Sequence, residues 1–140
     1  MLTSSSLAKH LALFASALVL ICLAMPAWSA TQTSRLIFAQ DTIGSVVHGE
    51  IRGTTIRDYL VRAKRGQTMK VSLLPSNHYA FVTVIPPGGQ APLFVGESSD
   101  ERDWAGILPA SGGYRVRVLM NEAAARRGVC ATYDLAISLR

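Results

Sequence analysis

The side chains of this sequence that could support catalysis are few. Ser111 lies in the run Ala-Ser-Gly-Gly at residues 110–113, which lacks the leading glycine and the strand–turn–helix setting of a nucleophile elbow. A turn serine that satisfies its own backbone is the favoured interpretation. A hydrolase also needs an acid and a base that converge in one pocket, and the strand pattern supplies no such pair. We therefore predict that the protein is not an enzyme.

Metal and cofactor sites are not indicated by the sequence either. His48 and His78 have no cysteine or histidine neighbour at metal-ligand spacing. The acidic run at residues 100–103 includes an arginine and lacks the alternating oxygen ligands of a calcium loop. No glycine-rich loop precedes a helix, so a phosphate cradle is unsupported. We predict no metal and no cofactor.

Arginine is the remaining residue type that could bind a partner. On the predicted strand at residues 114–119, alternation leaves Arg115 and Arg117 on the face opposite the apolar side chains. Arg126 and Arg127 follow in a long alanine-rich connection. A solvent-facing strand accounts for such arginines, yet a long loop on a rigid scaffold is also where binding residues commonly lie. Both interpretations stay open, and the planar guanidinium would suit a carboxylate-lined cleft.

The first 29 residues have the pattern of a secretory signal peptide. Lys9 precedes a short apolar run that ends at Leu23, and small residues follow. The run is shorter than the ~20 apolar residues that a membrane span needs. A lipid-attached alternative at Cys22 is disfavoured because the bulky Ile21 precedes it. We predict cleavage after residue 29, one domain over residues 30–140, and no membrane span after cleavage.

The composition bounds what the mature chain can do. The sequence has 14 basic and 9 acidic residues, so the loss of Lys9 leaves 13 and 9, a net charge of +4. This charge favours an acidic partner without naming one, and the lack of an exposed aromatic stripe argues against nucleic acid. Cys130 remains alone, so no intrachain disulfide can form. We predict that Cys130 is buried and unreactive.

Alternating apolar and polar residues dominate the mature chain. Eight or nine short strands follow one another at roughly 8–12-residue spacing, with turn residues between them. The runs at residues 58–64 and 68–73 flank Gly66 and predict a β-hairpin. No segment after the signal shows helical periodicity over three turns. The pattern predicts an all-β protein, a small antiparallel β-sandwich of about eight strands.

Three stretches of the sequence follow one another in an order and spacing typical of one family. They are DYLVRAKRGQ at 58–67, LPASGGYRVRV at 108–118, and ARRG followed by YDL between 125 and 135. In these stretches the chain resembles the periplasmic inhibitors of goose-type (g-type) lysozyme of Gram-negative bacteria. The resemblance implies a β-sandwich in the periplasm that occupies the substrate cleft of a lysozyme and blocks its catalytic carboxylates. The partner-binding residues that it implies are Ser111, Gly112, Tyr114, Arg117, Arg126 and Arg127.

Two of these positions carry an alternative interpretation. Tyr114 alternates with core valines and could support its loop from beneath instead of touching a partner. Members of the family tend to carry two arginines four residues apart before the last strand; here Glu122 replaces the first and Arg126 matches the second. We predict a helical turn in which these two side chains pair. Glu122 would also oppose an acidic cleft, which implies weaker inhibition or a different lysozyme class.

A second function also fits the sequence. The chain could be a non-inhibitory secreted β-sandwich that binds glycan or another envelope protein, similar to the small domains appended to secreted peptidases. The two functions differ in whether the arginine-bearing connection meets a catalytic cleft.

Overall fold

A computed structural model describes residues 30–36 and 44–140. The predicted signal peptide and the predicted turn at residues 41–44 lie wholly or largely outside these residues. The strands are β1 (Thr31–Leu36), β2 (Gly44–Arg52), β3 (Ile56–Ala63), β4 (Thr68–Pro75), β5 (Ala80–Ile85), β6 (Phe94–Val95), β7 (Asp103–Ile107), β8 (Gly112–Met120) and β9 (Cys130–Leu139). The helices are α1 (Gly96–Ser99) and α2 (Glu122–Arg126), with a 3-10 turn at Pro87–Gly89. No helix in this part of the chain is long and apolar enough to cross a membrane.

The strands form two sheets that pack face to face. Sheet A has the order β1-β3-β8-β5-β6 and sheet B the order β2-β9-β4-β7. The prediction of an all-β sandwich is confirmed. The expectation of wholly antiparallel sheets is wrong at one edge, where β1 and β3 run parallel. The reason is topological: β2 lies in the other sheet, so the chain returns to its starting end before β3 begins.

The predicted hairpin of β3 and β4 is wrong. β3 pairs with β1 and β8, whereas β4 pairs with β7 and β9 in the opposite sheet. The turn between them, in which Gly66 has a φ of +89°, crosses from one sheet to the other. Strand alternation does not distinguish the two arrangements, because a hairpin and an arch between sheets both turn the same apolar side chains inward.

The core consists of the inward side chains of both sheets. The largest fully buried ones are Tyr114, Ile51, Met69, Leu108, Leu135, Ile137, Val61, Val71, Val82, Val84, Val116 and Val118. Two buried hydroxyls, of Tyr59 and Tyr133, meet between the sheets at 2.6 Å. Burial and this hydrogen bond raise the pKa of Tyr133 well above its ordinary value. A Cβ at Gly49 would collide with the Tyr133 ring, so only glycine lets the ring pass.

The connections between strands alternate between the two ends of the sandwich. One end, here called the helix end, holds the β2–β3, β4–β5, β6–β7 and β8–β9 connections, the last of which contains α2. The opposite end, here called the serine-turn end, holds the β3–β4, β5–β6 and β7–β8 connections, the last of which contains Ser111. This alternation decides which predicted contact residues can act together.

Candidate functional site

The six predicted contact residues fall in three places. Ser111, Gly112 and Tyr114 lie at the serine-turn end, Arg117 lies midway along β8, and Arg126 and Arg127 lie at the helix end. β8 has nine residues, so at ~3.3 Å per residue the two ends are roughly 26 Å apart. The two ends therefore face opposite directions along the strands.

Helix α2 is short, and both of its termini are closed by hydrogen bonds. At its start the Asn121 side chain accepts a hydrogen bond from the backbone N–H of Ala124, at 2.9 Å. At its end Gly128 has a φ of +67° and donates to Ala125 O at 3.0 Å, while Val129 donates to Ala124 O at 3.2 Å. These two bonds form a Schellman motif. A five-residue helix is marginal alone, so these caps fix its geometry.

The rest of the helix end holds α2 against the sandwich. Gly53 in the β2–β3 turn donates to Val129 O at 2.8 Å, and Asn121 donates to Tyr79 O at 2.9 Å. The Asn77 side chain reaches the first strand residue after the helix and donates to Cys130 O at 3.0 Å. The helix also buries Ala124 completely. Three of the four connections at this end therefore join in one hydrogen-bonded platform.

The two arginines of the platform are held but remain accessible. Arg126 forms an ion pair with Glu122 four residues earlier, and both side chains are 76% exposed. The guanidinium of Arg127 lies over the Tyr79 ring, 5.3 Å from its centroid. The predicted helical turn with a Glu122–Arg126 pair is confirmed. The role of Arg126 and Arg127 as contact residues stays a prediction.

The polar side chains of the serine-turn end form hydrogen bonds within the protein. Ser111 Oγ accepts a hydrogen bond from the backbone N–H of Arg65 at 2.9 Å, which joins two connections of this end. The fully buried Tyr114 donates its hydroxyl to Ala110 O at 2.6 Å and accepts from Ala110 N at 3.2 Å. Tyr114 thus supports the turn from beneath, as its alternation with the core valines allows.

Arg117 is engaged by a buried carboxylate. Its Nε and Nη2 donate to the two oxygens of Asp58 at 2.7 and 2.8 Å, and Asp58 is 2% exposed. The hydrogen bond to Asp58 raises the pKa of Arg117 above its ordinary value, although partial burial acts in the opposite direction. Arg115 lies 3.9 Å from the same carboxylate. The fork of Arg117 is therefore already occupied inside the protein.

Cys130 is exposed, so the prediction that it is buried is wrong. In β9 the inward side chains include Ala131 and Tyr133, and strand alternation turns Cys130 to the opposite face. Its Sγ donates to the Glu50 carboxylate at 3.3 Å, and this hydrogen bond raises the pKa of the thiol. The alternation of β9 was visible in the sequence and would have predicted this exposure.

Three residues of the site were not identified from the sequence. Asn121 could have been found, because an asparagine directly before a short Glu-Ala-Ala-Ala-Arg run is a helix-cap signal. Tyr79 and Asp58 could not, because their importance depends on Arg127 and Arg117 meeting them from distant parts of the chain.

The described residues contain no group of three potential metal ligands. Among them, one histidine–carboxylate pair stands out, between His48 and Asp134 on the outer face of sheet B. The His48 side chain is largely exposed and Asp134 is about half exposed, so the pair lies at the surface and not in a deep pocket. This geometry does not enclose a substrate.

Comparison with known proteins gives consistent results. No protein-family model matches the sequence. The inhibitor of g-type lysozyme from Escherichia coli strain K12 is 30% identical over 125 residues, which cover 88% of this chain and 92% of that relative.

Solved structures give the same relationship. The crystal structure of PliG from Aeromonas hydrophila, a periplasmic inhibitor of g-type lysozyme, superposes with a TM-score of 0.73 and 30% identity over 81% of this chain and 100% of that one. A mutant of the Escherichia coli PliG gives a TM-score of 0.60 and 26% identity over 80% and 100%.

Proposed function

The chain belongs to the family of inhibitors of g-type lysozyme, and from this premise we propose that it is a periplasmic inhibitor of such a lysozyme that performs no catalysis itself. The predicted signal peptide at residues 1–29 supports export, with a mature chain from Ala30. The observation that carries the proposal is the rigid helix end, which presents two arginines on a scaffold of this family.

The inhibitor enters the substrate cleft with its helix end. Glycoside hydrolases of the lysozyme type place carboxylates on either side of the scissile bond, and Arg126 and Arg127 supply the complementary charge. The caps of α2 fix the backbone that carries these side chains before binding, which lowers the entropy lost on association. The surface pair with Glu122 is exchangeable because both partners lie in solvent.

The serine-turn end stays outside the same cleft. Ser111 and Tyr114 hold their own turn, and the length of β8 separates them from the helix end. Their part in the resemblance is then a structural one: they shape the scaffold that carries α2.

Inhibition of cell-wall lysis tests this function directly. The mature protein is titrated against goose-, chicken- and invertebrate-type lysozymes in a turbidity assay. We expect stoichiometric suppression of the goose-type enzyme. Suppression of another class only would place the target outside the g-type, and no suppression of any class would favour the glycan- or envelope-binding alternative.

A pair of charge-matched variants tests the docking end. We expect Arg126→Ala with Arg127→Ala to weaken inhibition at least about 100-fold, since each charge-assisted contact contributes about 1.5–3 kcal/mol. The melting temperature should change little because both side chains are exposed. Arg62→Ala with Arg65→Ala removes the same charge elsewhere and should leave inhibition intact. Equal inhibition by both double variants would contradict the helix-end assignment without contradicting inhibition itself.

A further inference from the structure

Six of the 13 basic residues of the predicted mature chain lie on one surface away from the helix end. The outer face of sheet A carries arginines on three adjacent strands, and two more basic residues continue it at the serine-turn end. This surface, here called the arginine face, consists of Arg35 on β1, Arg62 on β3, Arg115 and Arg117 on β8, and Lys64 and Arg65.

Strand register explains why these side chains share a face. Arg35 pairs with Leu60, and Leu60 pairs with Arg115, so the three lie in one row across the sheet. The neighbouring residues Val61 and Tyr114 are buried between the sheets. Alternation therefore turns the arginine row outward.

The arginine face accounts for the net charge of the mature chain. It holds six basic residues and, within its rows, a single carboxylate, the buried Asp58. Its net charge is thus +5, whereas residues 30–140 together carry +4, so the rest of the mature chain sums to −1. The outer face of sheet B differs: Lys70 there is accompanied by Asp103 and Asp134.

The guanidinium groups of Arg35, Arg62 and Arg115 are accessible, whereas that of Arg117 is engaged by Asp58. Asp58 fixes Arg117 and lies 3.9 Å from Arg115. Arg35 and Arg62 are exposed, and neither forms an ion pair with another described residue. Beyond β8, Arg102 lies over the outward-facing Phe81 ring of β5, but it also forms an ion pair with Asp100 of the α1 connection at 3.8 Å. The arginines without such a neighbouring surface acid lie on β1, β3 and β8.

Apolar side chains are interleaved with these arginines. Leu60 lies between Arg35 and Arg115, and Ile85 lies beyond Arg115 in the same row. Both apolar side chains are partly exposed. A plane that offers guanidinium and aliphatic groups together fits a lipid interface, where phosphates and acyl chains lie at adjacent depths.

We propose that the arginine face docks on an anionic phospholipid bilayer, with its guanidinium groups on lipid phosphates. Arginine binds phosphate oxygens bidentately, and anionic leaflets attract basic surfaces. A sheet lying flat on a bilayer directs both ends of the sandwich sideways, so the helix end stays free. The proposal rests on the charge distribution and does not depend on lysozyme inhibition.

Vesicle sedimentation tests this proposal with the mature protein. Large unilamellar vesicles of phosphatidylglycerol and phosphatidylcholine are compared with vesicles of phosphatidylcholine alone. We expect binding to the anionic vesicles that weakens as salt is raised, and none to the neutral ones. Absence of binding to the anionic vesicles at low salt, or equal binding to both kinds, would overturn it.

Two charge-matched triple variants locate the contact. Arg35→Gln, Arg62→Gln and Arg115→Gln together should weaken vesicle binding about 100-fold, at roughly five-fold per arginine. Arg52→Gln, Arg126→Gln and Arg127→Gln change the charge equally at the helix end and should leave vesicle binding nearly unchanged. Equal losses in the two variants would show a response to net charge and would refute a specific face. The first variant should still inhibit lysozyme as the unaltered protein does, which separates the two activities.

Discussion

The two stretches that carry the predicted contact residues use the same chemistry in opposite ways. In residues 111–117, Arg117 is paired with Asp58, which is 2% exposed. In α2, Arg126 is paired with Glu122, and both of these side chains are 76% exposed. Both pairs join an arginine to a carboxylate, but the first is buried and bidentate, whereas the second is exposed and has a single contact. The type of residue therefore does not show whether an arginine serves the fold or a partner.

The energetic difference between the two pairs is large. An exposed ion pair contributes about 0–1 kcal/mol, because water solvates both partners when they separate. Breaking a buried pair by removing one partner costs about 3–5 kcal/mol, because the other charge is left in a poor solvent. In the proposed docking, a lysozyme would displace Glu122 from Arg126 at low cost, whereas separating Arg117 from the buried Asp58 would be costly. Mutations in the first stretch should reduce stability, and mutations in the second should reduce inhibition.

The largest effect on stability is expected for Arg117→Ala. It leaves the Asp58 carboxylate buried with only the more distant Arg115 nearby, at a cost of about 3 kcal/mol. The melting temperature of the mature chain should fall by roughly 15 °C. Lysozyme inhibition, measured well below that temperature, should be retained per folded molecule.

A paired variant controls for this prediction. Asp58→Leu with Arg117→Met replaces both charges by apolar groups and should recover most of the lost stability. A melting temperature as low as that of Arg117→Ala would show that Arg117 stabilises through its aliphatic packing and not through the pair. Loss of inhibition in the fully folded double variant would place this region in the interface.

The contrast between the two stretches also shows which structural features can be predicted from the sequence. Alternation predicted the strands and their inward residues, because side-chain period depends only on local backbone geometry. The Glu-Ala-Ala-Ala-Arg run predicted a helical turn for the same reason. Cys130 was assigned wrongly because its residue type was weighed above its position in the alternation of β9.

Pairing between distant segments could not be predicted in this way. Nothing near residue 58 indicates that Asp58 meets Arg117, or that β3 and β4 belong to different sheets. The separation of Ser111 from Arg126 likewise depends on which end each connection occupies. These features arise from long-range packing, which a local pattern does not specify.

Tyr114→Phe should have the next largest effect on stability. The buried hydroxyl makes two hydrogen bonds with the backbone of Ala110, and its loss should cost about 2 kcal/mol. Denaturant unfolding measures this change, with Ser111→Ala as the milder companion at the exposed end of the same turn. Both variants should inhibit normally. A loss of inhibition with Ser111→Ala at full stability would bring the serine-turn end into the interface.

Chemical modification can compare the two ends by steric blockage. Cys130 is exposed at the helix end, and removal of the predicted signal peptide would leave it as the sole cysteine. A bulky maleimide adduct there should weaken inhibition at least about ten-fold, or 1.4 kcal/mol. The same adduct on Ser111→Cys in a Cys130→Ser background should have little effect. Modification of Cys130 will be slow near neutral pH because its pKa is raised, and Glu50→Gln should accelerate it. Inhibition that is weakened by the adduct on Ser111→Cys and not by the adduct on Cys130 would identify the serine-turn end as the docking end.

The smallest expected effect tests the exchangeable pair itself. Glu122→Gln removes a negative charge that would face an acidic cleft in the proposed docking, and it releases Arg126. Inhibition should therefore strengthen by roughly three-fold. The same change loses the ion pair and the favourable interaction of an acid with the helix N-terminus, so the melting temperature should fall by a few degrees. Glu122→Gln should therefore strengthen inhibition while it lowers stability. Arg117→Ala, in contrast, should lower stability and leave inhibition per folded molecule unchanged. Glu122→Asp keeps the charge and should show no gain, and raised salt should shrink the gain of Glu122→Gln. Weaker inhibition by Glu122→Gln would mean that the Glu122 carboxylate accepts a hydrogen bond from a donor in the lysozyme. Glu122 and Arg126 would then both be contact residues.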